Sequence, residues 1–110
     1  MTYDELIAAL ESTGIPFAEG GWEEADALRE DYGVYALDGQ RAMMANGKHS
    51  EKMLEGTVDL FCRSDRGDDK AALIEAAMDS IGCPWRLNYG PHYEKETGYT
   101  HREWVFNVLQ

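Results

Sequence analysis

Gly56-Thr57-Val58-Asp59-Leu60-Phe61-Cys62-Arg63 decides how this chain is read. Its strict alternation places Val58, Leu60 and Cys62 on one face of a strand and Asp59, Phe61 and Arg63 on the other. A helical segment follows it, and then two aromatic-rich strands. The unit from Gly56 to Leu109 therefore reads strand, helix, strand, turn, strand.

Working toward the C-terminus, Ser64 to Asp69 is a polar connection, and Asp68 is placed to cap the helix after it. Leu73, Ile74, Ala77, Met78 and Ile81 form that helix's apolar stripe. Gly82 ends it, and Pro84 keeps it from resuming. Trp85, Leu87 and Tyr89 share one face of the next strand. Gly90 to Gly98 reads as a polar hairpin region, and Tyr99 to Leu109 as the closing strand. Trp104, Phe106 and Val108 lie on one side of it, with Val105 and Leu109 on the other, so this strand expects cover on both faces.

Working toward the N-terminus, Lys48 to Glu55 reads as an extended arm leading into Gly56. Before it, Tyr32 to Leu37 and Arg41 to Ala45 are strands, punctuated by Asp38-Gly39 and Asn46-Gly47, both signals for a tight hairpin turn. The expectation is a three-strand meander with a long third strand. Glu19 to Asp31 holds Gly20-Gly21, Trp22 and carboxylates at Glu23, Glu24, Asp26, Glu30 and Asp31, a solvated loop in which Ala25 to Leu28 has the makings of a helical turn. Trp22 either packs back on the core or anchors a neighbouring subunit. Ile15-Pro16-Phe17-Ala18 is short and extended, because the residue before proline is driven out of the α region. The chain opens on a helix, about Thr2 to Ser12, with a Thr2/Glu5 capping box, a Tyr3, Leu6, Ile7, Leu10 stripe, and Gly14 as its left-handed stop.

One hundred and ten residues make one domain, 1–110, with a single core. The order α-β-β-β-α-β-β predicts an α+β fold, a mainly antiparallel sheet of about five strands with two helices on one face. Asp and Glu outnumber Lys and Arg by 21 to 10, a formal charge of −11. Such a surface opposes sequence-specific nucleic-acid binding, which needs clustered cations, and disfavours anionic membranes. No apolar run approaches the ~20 residues of a membrane span. Met1-Thr2-Tyr3-Asp4-Glu5 has neither a basic nor an apolar leader region, so synthesis and assembly in a cytoplasm are expected. Cys62 and Cys83 then read as buried free thiols.

Chemistry-bearing groupings are few. Arg66-Gly67-Asp68 reads as a turn at the start of a helix. Asp65, Asp68 and Asp69 lack the remaining oxygens of a calcium loop. His49, His92 and His101 lack metal-site spacing, although His92 and His101 are placed to meet across the last hairpin. Gly20-Gly21 has neither the strand nor the lysine of a phosphate loop. The expectation is a protein without catalytic residues, cofactor or metal.

The chain resembles the small tail-terminator and tail-completion proteins of long-tailed bacteriophages and prophages. The likeness spans nearly its whole length. It rests on three stretches: the opening Thr2-to-Ile7 helix with Thr13-Gly14-Ile15-Pro16-Phe17 and Trp22-Glu23-Glu24; Tyr32-Gly33-Val34-Tyr35 with its Asp-Gly and Asn-Gly turns; and Gly56-to-Phe61 with the closing Glu103-Trp104-Val105-Phe106. The resemblance implies a virion protein that caps the tail tube as a ring, commonly a hexamer. It would be assembled in the host cytoplasm, with the tail tube protein and the head–tail connector as partners. The patches expected to carry subunit or partner contact are Trp22, Glu23 and Glu24 on the loop and Lys48, His49, Lys52, Met53 and Leu54 on the arm. Two other roles fit the same residues: a head-closure or connector protein of the same particle, and a small acidic cytoplasmic binding or inhibitor protein.

Overall fold

The computed structural model describes residues 1–22, 31–45 and 48–109, with the backbone alone given from 39 to 52. Helix α1, Tyr3–Glu11, starts as the capping box requires: the Thr2 hydroxyl accepts from the Glu5 amide at 3.2 Å, and the Glu5 carboxylate accepts from the Thr2 amide at 3.1 Å. Its stripe buries Leu6 and Leu10, and Gly14 leaves the helix at φ +83°.

Ile15-Pro16 then delivers a strand, which the sequence shows only as an extended link. β1, Phe17–Glu19, runs parallel to β2, Asp31–Ala45, with Phe17 beside Gly33 and Glu19 beside Tyr35. Gly33 is what allows this approach, since any side chain there would occupy the place of the Phe17 ring. Tyr3 of α1 locks the arrangement by donating its hydroxyl to Glu19 at 2.6 Å.

β2 pairs antiparallel with β3, Lys48–Cys62, from Asp31 opposite Cys62 to Ala45 opposite Lys48. The three-strand meander is therefore a two-strand hairpin, with β1 as the third member. Asp38-Gly39 is not a turn, because β3 is continuous and long enough to pair with both halves of β2. The surplus residue is absorbed as a register shift between Leu37 and Gly39, with a second shift between Ala42 and Met44. Asn46-Gly47 and the Ala25–Leu28 turn lie outside the described residues.

Helix α2 is Asp68–Ser80. Asp68 does not cap it. Gly67 is the cap residue, at φ +77°, and the Asp65 carboxylate accepts from the Gly67 amide at 2.6 Å. Asp68 instead pairs with the guanidinium of Arg102, which also donates to the Arg66 carbonyl at 2.8 Å. Arg102 is 6% exposed, so this buried cation clamps the start of α2 to the sheet. The stripe is also rotated from expectation: Ala71, Ile74 and Met78 are buried, whereas Leu73 is 48% exposed.

β4, Trp85–Glu94, and β5, Tyr99–Leu109, close the chain. β4 runs through Gly90-Pro91, where a hairpin region was expected, with two register shifts between Leu87 and His92. The proline is tolerated because β4 is an edge strand and its missing N–H leaves no interior ladder bond unmade. The reversal lies later, where the Gly98 amide bonds the Glu94 carbonyl at 2.8 Å.

The sheet order is β1-β2-β3-β5-β4, antiparallel except for β1. The fold is α+β. Leu60 and Val58 of β3 and Trp104, Phe106 and Val108 of β5 form one core with Leu6 and Leu10 of α1 and Ala71, Ile74 and Met78 of α2. Both helices thus lie on one face. At the hairpin's far end, β5 stops opposite Met53 and β1 reaches only Tyr35, so among the described residues 41–45 and 48–52 pair only with each other. The molecule is drawn out to 48 × 24 × 23 Å.

Candidate functional site

The face of the sheet away from the helices carries the chemistry. Register places Tyr32 of β2, Phe61 of β3, His101 of β5 and His92 of β4 in one row across four strands. Tyr32 and Phe61 stack with centroids 4.9 Å apart, and Phe61 and His101 stack at 4.3 Å. Tyr99 stands edge-on to both Tyr32 and Phe61, and the Arg63 guanidinium lies 4.3 Å over the Tyr99 ring. Tyr89 packs against both His101 and His92, at 5.1 and 5.6 Å.

Trp22 extends this aromatic surface at the β1 end. The chain crosses from β1 to the open face through Gly20 and Gly21, both at positive φ, and the Gly20 amide holds the Tyr35 carbonyl at 2.8 Å. The Trp22 indole N–H then donates to the Gly33 carbonyl at 3.1 Å, and its ring meets the Tyr32 edge at 6.1 Å. Trp22 packs within the chain, but on the Tyr32 ring of the face away from the helices and not on the core. Together with Gly20, Gly21, Tyr32, Val34, Asp59 and Phe61 it lines a recess of about 330 Å³.

The next row across the sheet is Val34, Asp59, Glu103 and Tyr89. His101 sits between carboxylates, with Nε2 2.7 Å from Asp59 and Nδ1 3.4 Å from Glu94. Burial alone would lower its pKa. The hydrogen bond to Asp59 and the fields of Asp59, Glu94 and Glu103 outweigh that and raise it above its ordinary value. Asn88 donates to Glu103 at 2.9 Å. His92 and His101 do meet across the hairpin as expected, but the described residues hold no group of three His, Cys, Asp or Glu arranged for a metal ion. Neither thiol faces this side: Cys62 lies among the core residues, and burial pushes Cys62 and Cys83 each up to about 11, leaving them protonated near neutrality. The surface presents flat rings rimmed by carboxylates.

The sequence-expected patch is divided by the fold. Glu23 and Glu24 lie outside the described residues. Lys48, His49 and Lys52 fall on the paired backbone of the β3 arm, and their side chains are outside what is described. Met53 and Leu54 alternate to opposite faces: Met53 stands beside Leu109, and Leu54 packs against the helix-side core. The residues missed were Tyr32, Asp59, Phe61, Tyr89, Tyr99 and His101. Their aromatic enrichment was visible, but their union in one surface depends on register between strands far apart in sequence. Among the described residues, no helix is long and apolar enough to cross a membrane. No family model matches the chain, and no curated protein matches it in sequence.

Proposed function

We propose that this protein is a structural component of a phage virion that closes the end of the tail tube as a ring of identical subunits and meets the head connector on its other side. Its role is mechanical, not catalytic. The observation that carries this reading is the projecting hairpin. A two-stranded ribbon pairing only with itself is marginal in water and gains stability by lying on a partner.

Charge favours a second copy as that partner. Residues 39–52 carry Arg41, Lys48 and Lys52 against Glu51, a net +2, so the rest of a chain of −11 carries −13. A basic arm on an acidic body is a heterologous contact, and heterologous contacts that close by rotation make rings. The resemblance to tail-terminator proteins supplies the setting, and an acidic ring lets DNA pass without adhering.

Two measurements test the reading. Light scattering across concentrations is expected to show a climb from monomer toward a hexamer. Tail tube protein polymerised with this protein is expected to give shorter tubes capped at one end in electron micrographs. Tubes of unchanged, open-ended length at saturating protein would remove the reading.

A further inference from the structure

We propose that the outer edge of β4, Trp85–Glu94, pairs antiparallel with the same edge of a second copy of this chain, around a two-fold axis at Gly90. The inference stands apart from the ring reading, because here one surface meets itself, whereas a ring joins two different surfaces.

The edge is open and partly apolar. β4 is the last strand of the sheet, and among the described residues no strand pairs with its outer side. Five large apolar residues are exposed among those described, and Leu87, Tyr89 and Tyr93 of β4 are three of them, at 43%, 41% and 59%. An edge that offers both backbone groups and apolar side chains is a template for another strand.

Register decides which backbone groups are on offer. The Asn107 amide donates to the Pro84 carbonyl at 3.1 Å, so position 84 faces β5. Alternation then turns Arg86 toward Val105 and leaves the N–H and C=O of Leu87 pointing outward. β5 keeps an unbroken register against β3, so Tyr99 and His101 also face β4, opposite Glu94 and His92. Tyr93 lies between those two and points its backbone outward as Leu87 does.

A break in the middle of the edge favours a second copy over an arbitrary strand. β4 shifts register twice between Leu87 and His92, and Pro91 has no N–H to offer. A regular strand laid along this edge would meet the break with an unbroken ladder of its own. A second β4 brings the same break to the same place when the axis passes through Gly90.

That alignment also matches the side chains. Leu87 opposes the partner's Tyr93 and Tyr93 the partner's Leu87, outward groups against outward groups. Both stand on the helix side, in register with Trp104 and Thr100, so their exposed apolar surfaces meet. On the open side Arg86 opposes the partner's Glu94, twice by symmetry. The Glu94 carboxylate already lies 3.4 Å from His101 Nδ1, and the arginine joins it from the strand's outer side.

Paired cysteines test the register in the full-length protein. Arg86→Cys with Glu94→Cys places thiols at facing, non-hydrogen-bonded positions, about 4.5 Å apart at Cα and within disulfide reach. Within one chain the same two positions are too far apart along the strand to join. Cys62 and Cys83 are buried and stay out of the reaction. Mild oxidation is expected to give a covalent dimer on non-reducing gels. Arg86→Cys with His92→Cys, where no cysteine faces another, is expected to stay monomeric.

Charge reversal gives a second measurement. Arg86→Glu is expected to weaken dimerisation about tenfold in sedimentation equilibrium, because two cross-strand pairs turn from opposite to like charge. Adding Glu94→Arg in the same chain is expected to restore it. Circular dichroism checks that each variant remains folded.

The outcomes keep this contact and the ring reading apart. If the facing cysteines stay monomeric in folded protein, or the offset pair links as readily, the edge pairing is wrong and the ring reading is untouched. If the double charge variant dimerises no better than Arg86→Glu alone, the pairing of Arg86 with Glu94 is overturned. If the covalent dimer forms while tail tubes stay uncapped, the edge contact stands and the ring reading falls.

Discussion

On the helix side of the sheet, Val58, Leu60, Trp104 and Phe106 are wholly removed from water; one residue along the same strands, Phe61 and His101 keep a minor part of their surface exposed. Both sides are rich in rings, so hydrophobicity does not separate them. What differs is closure. α1 and α2 supply Leu6, Leu10, Ile74 and Met78 to one side, while among the described residues the other is finished by rings leaning on one another and by the Trp22 segment. Among the described residues, the same strands bury one face completely and leave the other partly exposed according to whether helices pack on it.

The largest expected effect lies on the closed side. Trp104→Ala should cost about 3–5 kcal/mol in urea denaturation, the usual range for emptying a large aromatic site. It would also leave Glu75, which accepts from the indole at 2.9 Å, without that donor. If Phe61→Ala on the open face costs as much, the two sides are equivalent and the comparison fails.

A middle-sized effect is expected where β2 is tied to the connection before α2. Asp31 accepts from the Arg63 and Ser64 amides, from the Ser64 hydroxyl and from Lys70 at 2.9 Å. Burial would raise its pKa, but these bonds together hold it well below the ordinary 3.8. The sign follows: its contribution is present above pH 3.8 and is lost as pH falls through the lowered value. Asp31→Asn should cost about 1–3 kcal/mol at neutral pH. It should also flatten the acid limb of the stability profile, read by denaturation at a series of pH values.

Phe61→Leu keeps much of the apolar volume but loses the stack between Tyr32 and His101. Its expected cost is about 1 kcal/mol in denaturant, the scale of one aromatic pair. A variant that unfolds at a far lower denaturant midpoint would recast this face as core.

The smallest effect is that of His101. Its pKa is raised above the ordinary 6.5, so the stabilisation from its carboxylate neighbours is full below that pH and lost as pH climbs through the raised value. A ring-proton titration should place its midpoint above 6.5. The wild type should lose more stability than His101→Gln between slightly acid and mildly alkaline solution. A midpoint below 6.5 would mean that burial, not the carboxylates, governs this site.

Much was determined by the sequence alone, wherever the cause is local. The capping box of α1, the stops at Gly14 and Gly82, the alternation of β3 and the two-sided apolar pattern of β5 all depend on residues within a turn or two of one another. Tertiary structure decided the rest, because strand pairing is a contact between distant segments. It absorbed Asp38-Gly39 into a bulge once β3 was long enough to span it, and it recruited Phe17–Glu19 as a parallel edge because Gly33 left room for a ring. It turned Leu73 outward because the Arg102 clamp on Asp68 fixes how α2 sits on the sheet. The aromatic row from Tyr32 to His92 has the same origin: a slip of one residue in any pairing would have sent each ring to the opposite face.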